Sequence, residues 1–212
     1  FREMAVRKRP SDYQENSIRV LKGLEPVKSR PGMYTLTDNP LHIIQEVLDN
    51  ASDEVLGGFG DTITLPMCAE GIPTVELVFT QLHAGGKFDK ASGGAYSFSG
   101  GLHGVGVSVT NALSRHLNVT VWRDGKQYDI GFADGFVSEP LTEQPSSRGK
   151  KYTGTRVQCL PDPKYFDSPT IPEQQLIGLL QSKAVLLPRC TVRYINEKTG
   201  QELSWRYDGG LR

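Results

Sequence analysis

His42, Glu46 and Asn50 follow one another at intervals of four residues. On a helix that spacing stacks side chains on one face. An imidazole, a carboxylate and an amide in one column can hold a proton relay and an oxygen ligand for a hard cation. A solvated polar stripe is the commoner meaning of such a pattern, so the column gains force only beside an element able to hold phosphate. The run Gly101-Leu102-His103-Gly104-Val105-Gly106, entering a helix at Val107, is such an element. Glycines let the backbone come close to an anion, and the unpaired N–H groups of a helix's first turn point at it. A dinucleotide-binding loop would need a strand before it, and here a Gly- and Ser-rich segment precedes the glycines. No G-x-x-x-x-G-K-[ST] occurs, which excludes a P-loop. Phosphate cradle, cation ligand and base together describe a nucleotide site.

The elements that must position these groups can be read from pattern. Asn39 is a good N-cap and Pro40 suits a first helical position. Ile43, Ile44, Val47, Leu48, Ala51 and Val55 then recur at helical spacing, and Gly57-Gly58 supplies a left-handed stop. Upstream, Phe1 to Asp12 is a basic, flexible arm and Tyr13 to Leu24 a short helix. Glu25 to Tyr34, with two prolines, reads as a connector. Asp61 to Leu65 alternates like a strand closed by Pro66, and Pro73 to Leu82 has helical character. His83 to Gly106 is a long glycine-rich loop of the kind that covers a site, delivering a helix over Val107 to Leu113. Strands follow at Asn118–Trp122, Gln127–Phe132 and Arg156–Leu160, the first two joined by an Asp124-Gly125 hairpin turn. A helix over Pro172–Leu186 precedes a last hairpin, Thr191–Ile195 with Leu203–Tyr207. Helices and a lid before a mainly antiparallel sheet make an α+β fold, a two-layer sandwich with a mixed, mostly antiparallel sheet covered by helices.

Composition narrows the class. The 212 residues can bury one good core and are most simply one domain. Lys+Arg and Asp+Glu both number 24, which argues against a protein that coats nucleic acid through cationic excess. No apolar run reaches the ~20 residues needed to span a bilayer, and no signal peptide opens the chain, so no membrane partner is expected. Cys68, Cys159 and Cys190 have neither metal-ligand nor disulfide spacing, which fits a reduced, cytoplasmic protein.

Gln45-Glu46-Val47-Leu48-Asp49-Asn50-Ala51-Ser52-Asp53-Glu54 and Ser99 to Gly106 resemble two motifs of the GHKL (Bergerat-fold) ATPases. Arg30-Pro31-Gly32-Met33-Tyr34, Leu82 to Phe88 and Thr153-Gly154-Thr155 narrow the resemblance to the B subunits of type IIA topoisomerases. Pro161-Asp162, Phe166-Asp167-Ser168-Pro169 and Lys183-Ala184-Val185-Leu186 place it nearer topoisomerase IV than gyrase. The resemblance implies an ATP-binding and hydrolysing domain over residues 13–212, requiring Mg²⁺ and driving DNA strand passage in bacterial cytoplasm. Its partners would be a ParC-like A subunit and a second B subunit, with DNA engaged through the full enzyme.

Carried over residue by residue, the resemblance implies Glu46 as general base, tuned by His42, and Asn50 as Mg²⁺ and ATP ligand. Gly101, Leu102, His103, Gly104, Val105, Gly106 and Val107 would wrap the phosphates, with Lys87 and Tyr96 nearby. Tyr13 would cross to a partner's nucleotide, and Thr155 would lie beneath adenine. Arg123, Asp53 and Glu54 would rim the pocket that aminocoumarin-type inhibitors enter.

Two departures stand out. Between the central helix and Gly71 the family has two strands and an Asp-x-Gly-x-Gly motif whose aspartate accepts from the adenine amino group. Here Phe59 to Glu70 spans that distance, no such motif occurs, and neither Asp61 nor Glu70 is placed to replace it. A natural deletion, an engineered one, or a stretch of the protein absent from this sequence would each account for this. The chain also stops near Leu211, where the resemblance would continue into a transducer domain carrying a lysine for the γ-phosphate. Without that domain the chain is expected to bind nucleotide better than it hydrolyses it and to be largely monomeric, and without the adenine reader to bind it more weakly.

Overall fold

The computed structural model describes residues 23–69, 72–79 and 106–209, with 75–79 as backbone. The element that carries the polar column is α2, Leu41–Leu56. Its N–H groups begin as the sequence suggests, with Asn39 Oδ1 accepting from the Leu41 N–H at 3.0 Å. The helix proper begins at Leu41 with Pro40 at the N-cap position, one residue later than expected. At the other end Gly58 adopts φ +81, the left-handed stop. Ile43, Ile44, Val47, Leu48 and Ala51 are buried, and Val55 packs against them partly exposed. At roughly 1.5–3 kcal/mol for each large apolar side chain fully withdrawn from water, this face fixes the rotation of the helix.

The helix lies on an eight-stranded sheet. Its strands are β1 (Gly60–Met67), β2 (Thr74–Phe79), β3 (Ser114–Arg123), β4 (Lys126–Ala133), β5 (Phe136–Pro145), β6 (Gly154–Pro161), β7 (Thr191–Asn196) and β8 (Gln201–Trp205). They lie in the order β5-β4-β3-β6-β2-β1-β7-β8. All neighbours are antiparallel except β1 and β7, paired from Thr62↔Thr191 to Met67↔Asn196. Among the described residues three further α-helices are α1 (Glu25–Ser29), α3 (Gly106–Ala112) and α4 (Glu173–Leu186). Ile63, Leu65, Leu117, Cys159, Val192 and Tyr194 from alternate strand positions meet Ile44, Val47 and Leu48 of α2 and Leu176, Leu180 and Ala184 of α4 in one core. A smaller cluster of Val27, Ile43, Val109, Ala112, Leu113 and Phe166 joins α1, α2 and α3. The expected two-layer α+β sandwich is the observed one.

Four local expectations are corrected. Residues Thr74–Phe79 form a strand, not a helix: Thr, two Val and Phe suit a pleated ladder, and β2 is hydrogen-bonded to β1 on one side and β6 on the other. A segment this short, with polar Thr74 and Glu76 among its apolar residues, fits either period, so tertiary pairing decides. Pro66 does not close β1. The ladder to β2 ends at Thr64↔Glu76, while that to β7 runs on past Pro66 to Met67↔Asn196. The expected connector contains α1 and a 3₁₀ turn at Pro31–Met33, each with proline in its first turn, where a missing N–H costs nothing. An unexpected edge strand, β5, follows a second Asp-Gly turn, Asp134-Gly135, at φ 50 and +82. The arm at 1–12 and the helix expected over Tyr13–Leu24 lie, up to residue 22, outside the described residues.

Candidate functional site

Burial of the opposite face of α2 leaves His42, Glu46 and Asn50 half-buried. The His42 and Glu46 side chains are each 28% exposed, with Nδ1 4.0 Å from the Glu46 Oε1. That is a sheltered column rather than a solvated stripe, and too long a gap for a hydrogen bond. Asn50 Nδ2 donates to the Glu46 carbonyl at 2.9 Å. Its amide is therefore anchored by nitrogen, and Oδ1 meets no donor among the described residues. This arrangement fits Mg²⁺, which takes one or two protein oxygens and completes its shell with phosphate and water.

The first residue of α3 closes against this column. A Cβ at Gly106 would lie 3.0 Å from Glu46 Cδ and 3.2 Å from its Cβ, and far inside contact distance of Oε2. Only glycine lets the start of α3 sit this near the carboxylate. Thr110, fully buried, holds the two helices in that relation by donating to the Ile43 carbonyl at 2.9 Å. Val107 is exposed at the same helix start. Both Thr110 and the contact residue Thr35, whose Oγ1 is 2.8 Å from His42 Nδ1, escape a motif-based reading. Each acts through one hydroxyl and has no spacing signature.

The other expected site residues are distributed as follows. Thr155 on β6 pairs with Leu77 of β2 and Val121 of β3. It lies two and four residues before Val157 and Cys159 on one strand, so it shares their face, the one packed into the main core. Arg123, at the β3–β4 turn, is 44% exposed and pairs with Asp124 at 3.1 Å. Asp53 is 3% exposed on the inner side of α2, and Glu54 is half-buried; both have partners. Tyr13, Lys87, Tyr96, Gly101, Leu102, His103, Gly104 and Val105 lie outside the described residues. Among the described residues no cluster of three His, Cys, Asp or Glu could hold a metal by itself, and no helix is long and apolar enough to cross a membrane.

No family model matches the chain. Curated proteins do: the B subunit of DNA topoisomerase 4 from Pseudomonas aeruginosa is 44% identical over 94% of this chain and 34% of its own length. Its counterpart from Escherichia coli strain K12 is 42% identical over 94% of this chain and 34% of its own. The chain thus spans about a third of the length of the curated relatives it matches. The Pseudomonas alignment runs over 220 residues but uses 94% of a 212-residue chain, about 200, so the relative carries some 20 residues that this chain lacks. Two solved structures share the fold. One is the ATP-binding domain of topoisomerase IV from Francisella tularensis in complex with a small-molecule inhibitor. It is 37% identical at TM-score 0.72, covering 91% of this chain and 56% of that one. The other is the 43K ATPase domain of Thermus thermophilus gyrase B in complex with an aminocoumarin, 34% identical at TM-score 0.74, covering 92% of this chain and 54% of that one.

Proposed function

Because the chain belongs to the GHKL ATPase domains of type IIA topoisomerase B subunits, we propose that it binds and hydrolyses ATP to drive DNA strand passage in a topoisomerase IV-like enzyme. The observation that carries the reading is the half-buried His42/Glu46/Asn50 column closed by Gly106 at the start of α3. In this reading Glu46 withdraws a proton from the water that attacks the γ-phosphate, and His42 tunes it. A free glutamate is ionised at neutral pH but a weak base, so its surroundings decide its strength. Asn50 Oδ1 would hold Mg²⁺, which would supply charge neutralisation to the phosphates. Gly101 to Val107 wrap those phosphates, Lys87 and Tyr96 lie near them, and Thr155 lies beneath the base. Tyr13 reaches the nucleotide of a second B subunit. The remaining partners are a ParC-like A subunit and DNA. Inhibitors of the kinds held by the Francisella and Thermus domains would enter past Arg123, Asp53 and Glu54, in a bacterial cytoplasmic enzyme.

A second reading is favoured by one observation. No Asp-x-Gly-x-Gly occurs in the sequence. An adenine amino group left without its acceptor costs about 1–3 kcal/mol, one to two orders of magnitude in affinity. The domain would then hold nucleotide or inhibitor with little turnover. Titration calorimetry of this polypeptide with a non-hydrolysable ATP analogue, with and without Mg²⁺, tests both readings. Saturable binding strengthened by Mg²⁺ is expected, and silence at millimolar analogue would remove nucleotide from the account. Glu46→Ala then separates the readings: it abolishes hydrolysis under the first and leaves analogue binding intact under both.

A further inference from the structure

We propose that Thr35 is a positioning residue for His42, fixing which ring nitrogen carries the proton and keeping the ring from pairing directly with Glu46. The inference rests on the reading of Glu46 as a base, and its geometry stands apart from that reading. Thr35 is only 7% exposed, although its loop neighbours Met33 and Leu36 are 71% and 62% exposed. Its hydroxyl is thus turned inward out of a surface segment, 2.8 Å from His42 Nδ1. The other acceptor it reaches, the Leu36 carbonyl, is 3.4 Å away, at the weak limit of a hydrogen bond. The hydroxyl proton is better used on Nδ1. That nitrogen then accepts, and the neutral ring carries its proton on Nε2.

Nδ1 is also the ring nitrogen that faces Glu46, with Oε1 4.0 Å away. Thr35 and Glu46 therefore compete for one atom. With the Thr35 hydroxyl on Nδ1, no N–H is available there to donate to the carboxylate, and the Glu46 lone pairs stay open to water. Without it, a shift of about 1 Å would bring Nδ1–H into hydrogen-bond range of Oε1. A charge-assisted bond of that kind would tie up the base. The segment before α2 contributes no other hydroxyl to this nitrogen among the described residues.

The test compares Thr35→Val, which keeps the shape and removes the hydroxyl, with Thr35→Ser, which keeps the hydroxyl. In ¹⁵N-histidine-labelled protein at neutral pH, His42 Nδ1 should resonate as an unprotonated acceptor in the parent and in Thr35→Ser. In Thr35→Val it should move toward the protonated N–H range. Turnover by the assembled enzyme should fall about tenfold in kcat for Thr35→Val with KM nearly unchanged, and recover in Thr35→Ser. An Nδ1–H tautomer in the parent, or an unchanged His42 spectrum in Thr35→Val, would overturn the proposal even if activity fell. The expected spectra without hydrolysis in any variant would support Thr35's role and sink the reading of Glu46 as a base. Thr35→Val need only fold for the spectra to decide, and the Ser variant supplies the same comparison from the other side.

Discussion

Gly106 shows how much of the site depends on atoms that are not there. The sequence marks it as one glycine of a phosphate cradle; the structure adds that its missing Cβ makes room for the Glu46 carboxylate. Gly106→Ala must displace that side chain or tilt α3, since Glu46 Cδ and Cβ are already 3.0 and 3.2 Å from the position of the new atom. Misplacing a catalytic group by about 1 Å can cost on the order of a hundredfold in rate. With Glu46 as the proposed base, steady-state hydrolysis should fall by that order, while the melting temperature changes little because the nearest contact is with the far end of the Glu46 side chain, which can swing aside. Turnover retained within threefold would show that the carboxylate need not lie where it does. The cysteines make a second residue-scale contrast. Burial pushes the Cys159 thiol up to about 12 and the Cys190 thiol up to about 11. Thiolate is the reactive form, so both should resist alkylation in the folded protein. Half-buried Cys68 should be labelled first, as mass spectrometry after a timed iodoacetamide pulse would report.

At the scale of elements, legibility follows the strength of the local code. α2 can be read because its apolar face, its Asn39 cap and its Gly58 stop agree. The β3–β4 hairpin can be read because Asp124-Gly125 takes φ 54 and +74 between alternating strands. β5 has the same kind of turn but no visible signal, for every residue of it is exposed and it carries Pro140 and Pro145. Pairing with β4 alone sustains it: the ladder skips from Asp129↔Thr142 to Gly131↔Glu139, so a bulge absorbs Pro140 at an outer edge. β2 misleads because a six-residue segment with four apolar residues, Val75, Leu77, Val78 and Phe79, has no clear period of its own until two neighbours impose one. Of the site, the column on α2 is legible, whereas the Thr35 and Thr110 bonds are not, since they join segments far apart in sequence or act through a single hydroxyl. Two glycine substitutions test this view of the elements. Gly135, at φ +82 with Leu24 Cδ1 2.7 Å from a would-be Cβ, should lose about 1 kcal/mol on change to Ala. Gly178 sits exposed inside α4 with open space around it, so Gly178→Ala should gain about 0.5–1 kcal/mol. Urea melts of the two variants should move in opposite directions.

The whole molecule is held by a sheet whose middle is assembled from distant parts of the chain. β1 lies between β2 and β7, and the parallel β1–β7 pair is the one place where strands from either end of the described chain meet. α4 covers this junction, and a polar clasp fixes its first turn. Glu173 Oε1 accepts from Tyr194 Oη at 2.5 Å and from Asn196 Nδ2 at 2.7 Å, both on β7. The bond from Tyr194, then that from Asn196, holds the carboxyl below its ordinary value of 4.5, against a smaller opposing effect of burial. Burial first, and then the same contact, pushes the Tyr194 phenol up to about 12. A carboxylate whose folded value is depressed binds fewer protons folded than unfolded through that interval. Its contribution is therefore complete above 4.5 and is lost as pH falls through the lower folded value. Glu173→Gln removes the ionisation while keeping the shape. The parent should melt higher than this variant at neutral pH, and the difference should shrink steadily once pH drops below 4.5. Thermal melts of both proteins from neutral to acidic buffers would show it. A difference that stayed constant across that range would mean that the clasp acts through shape alone and that Glu173's charge does not secure α4 to the central strands.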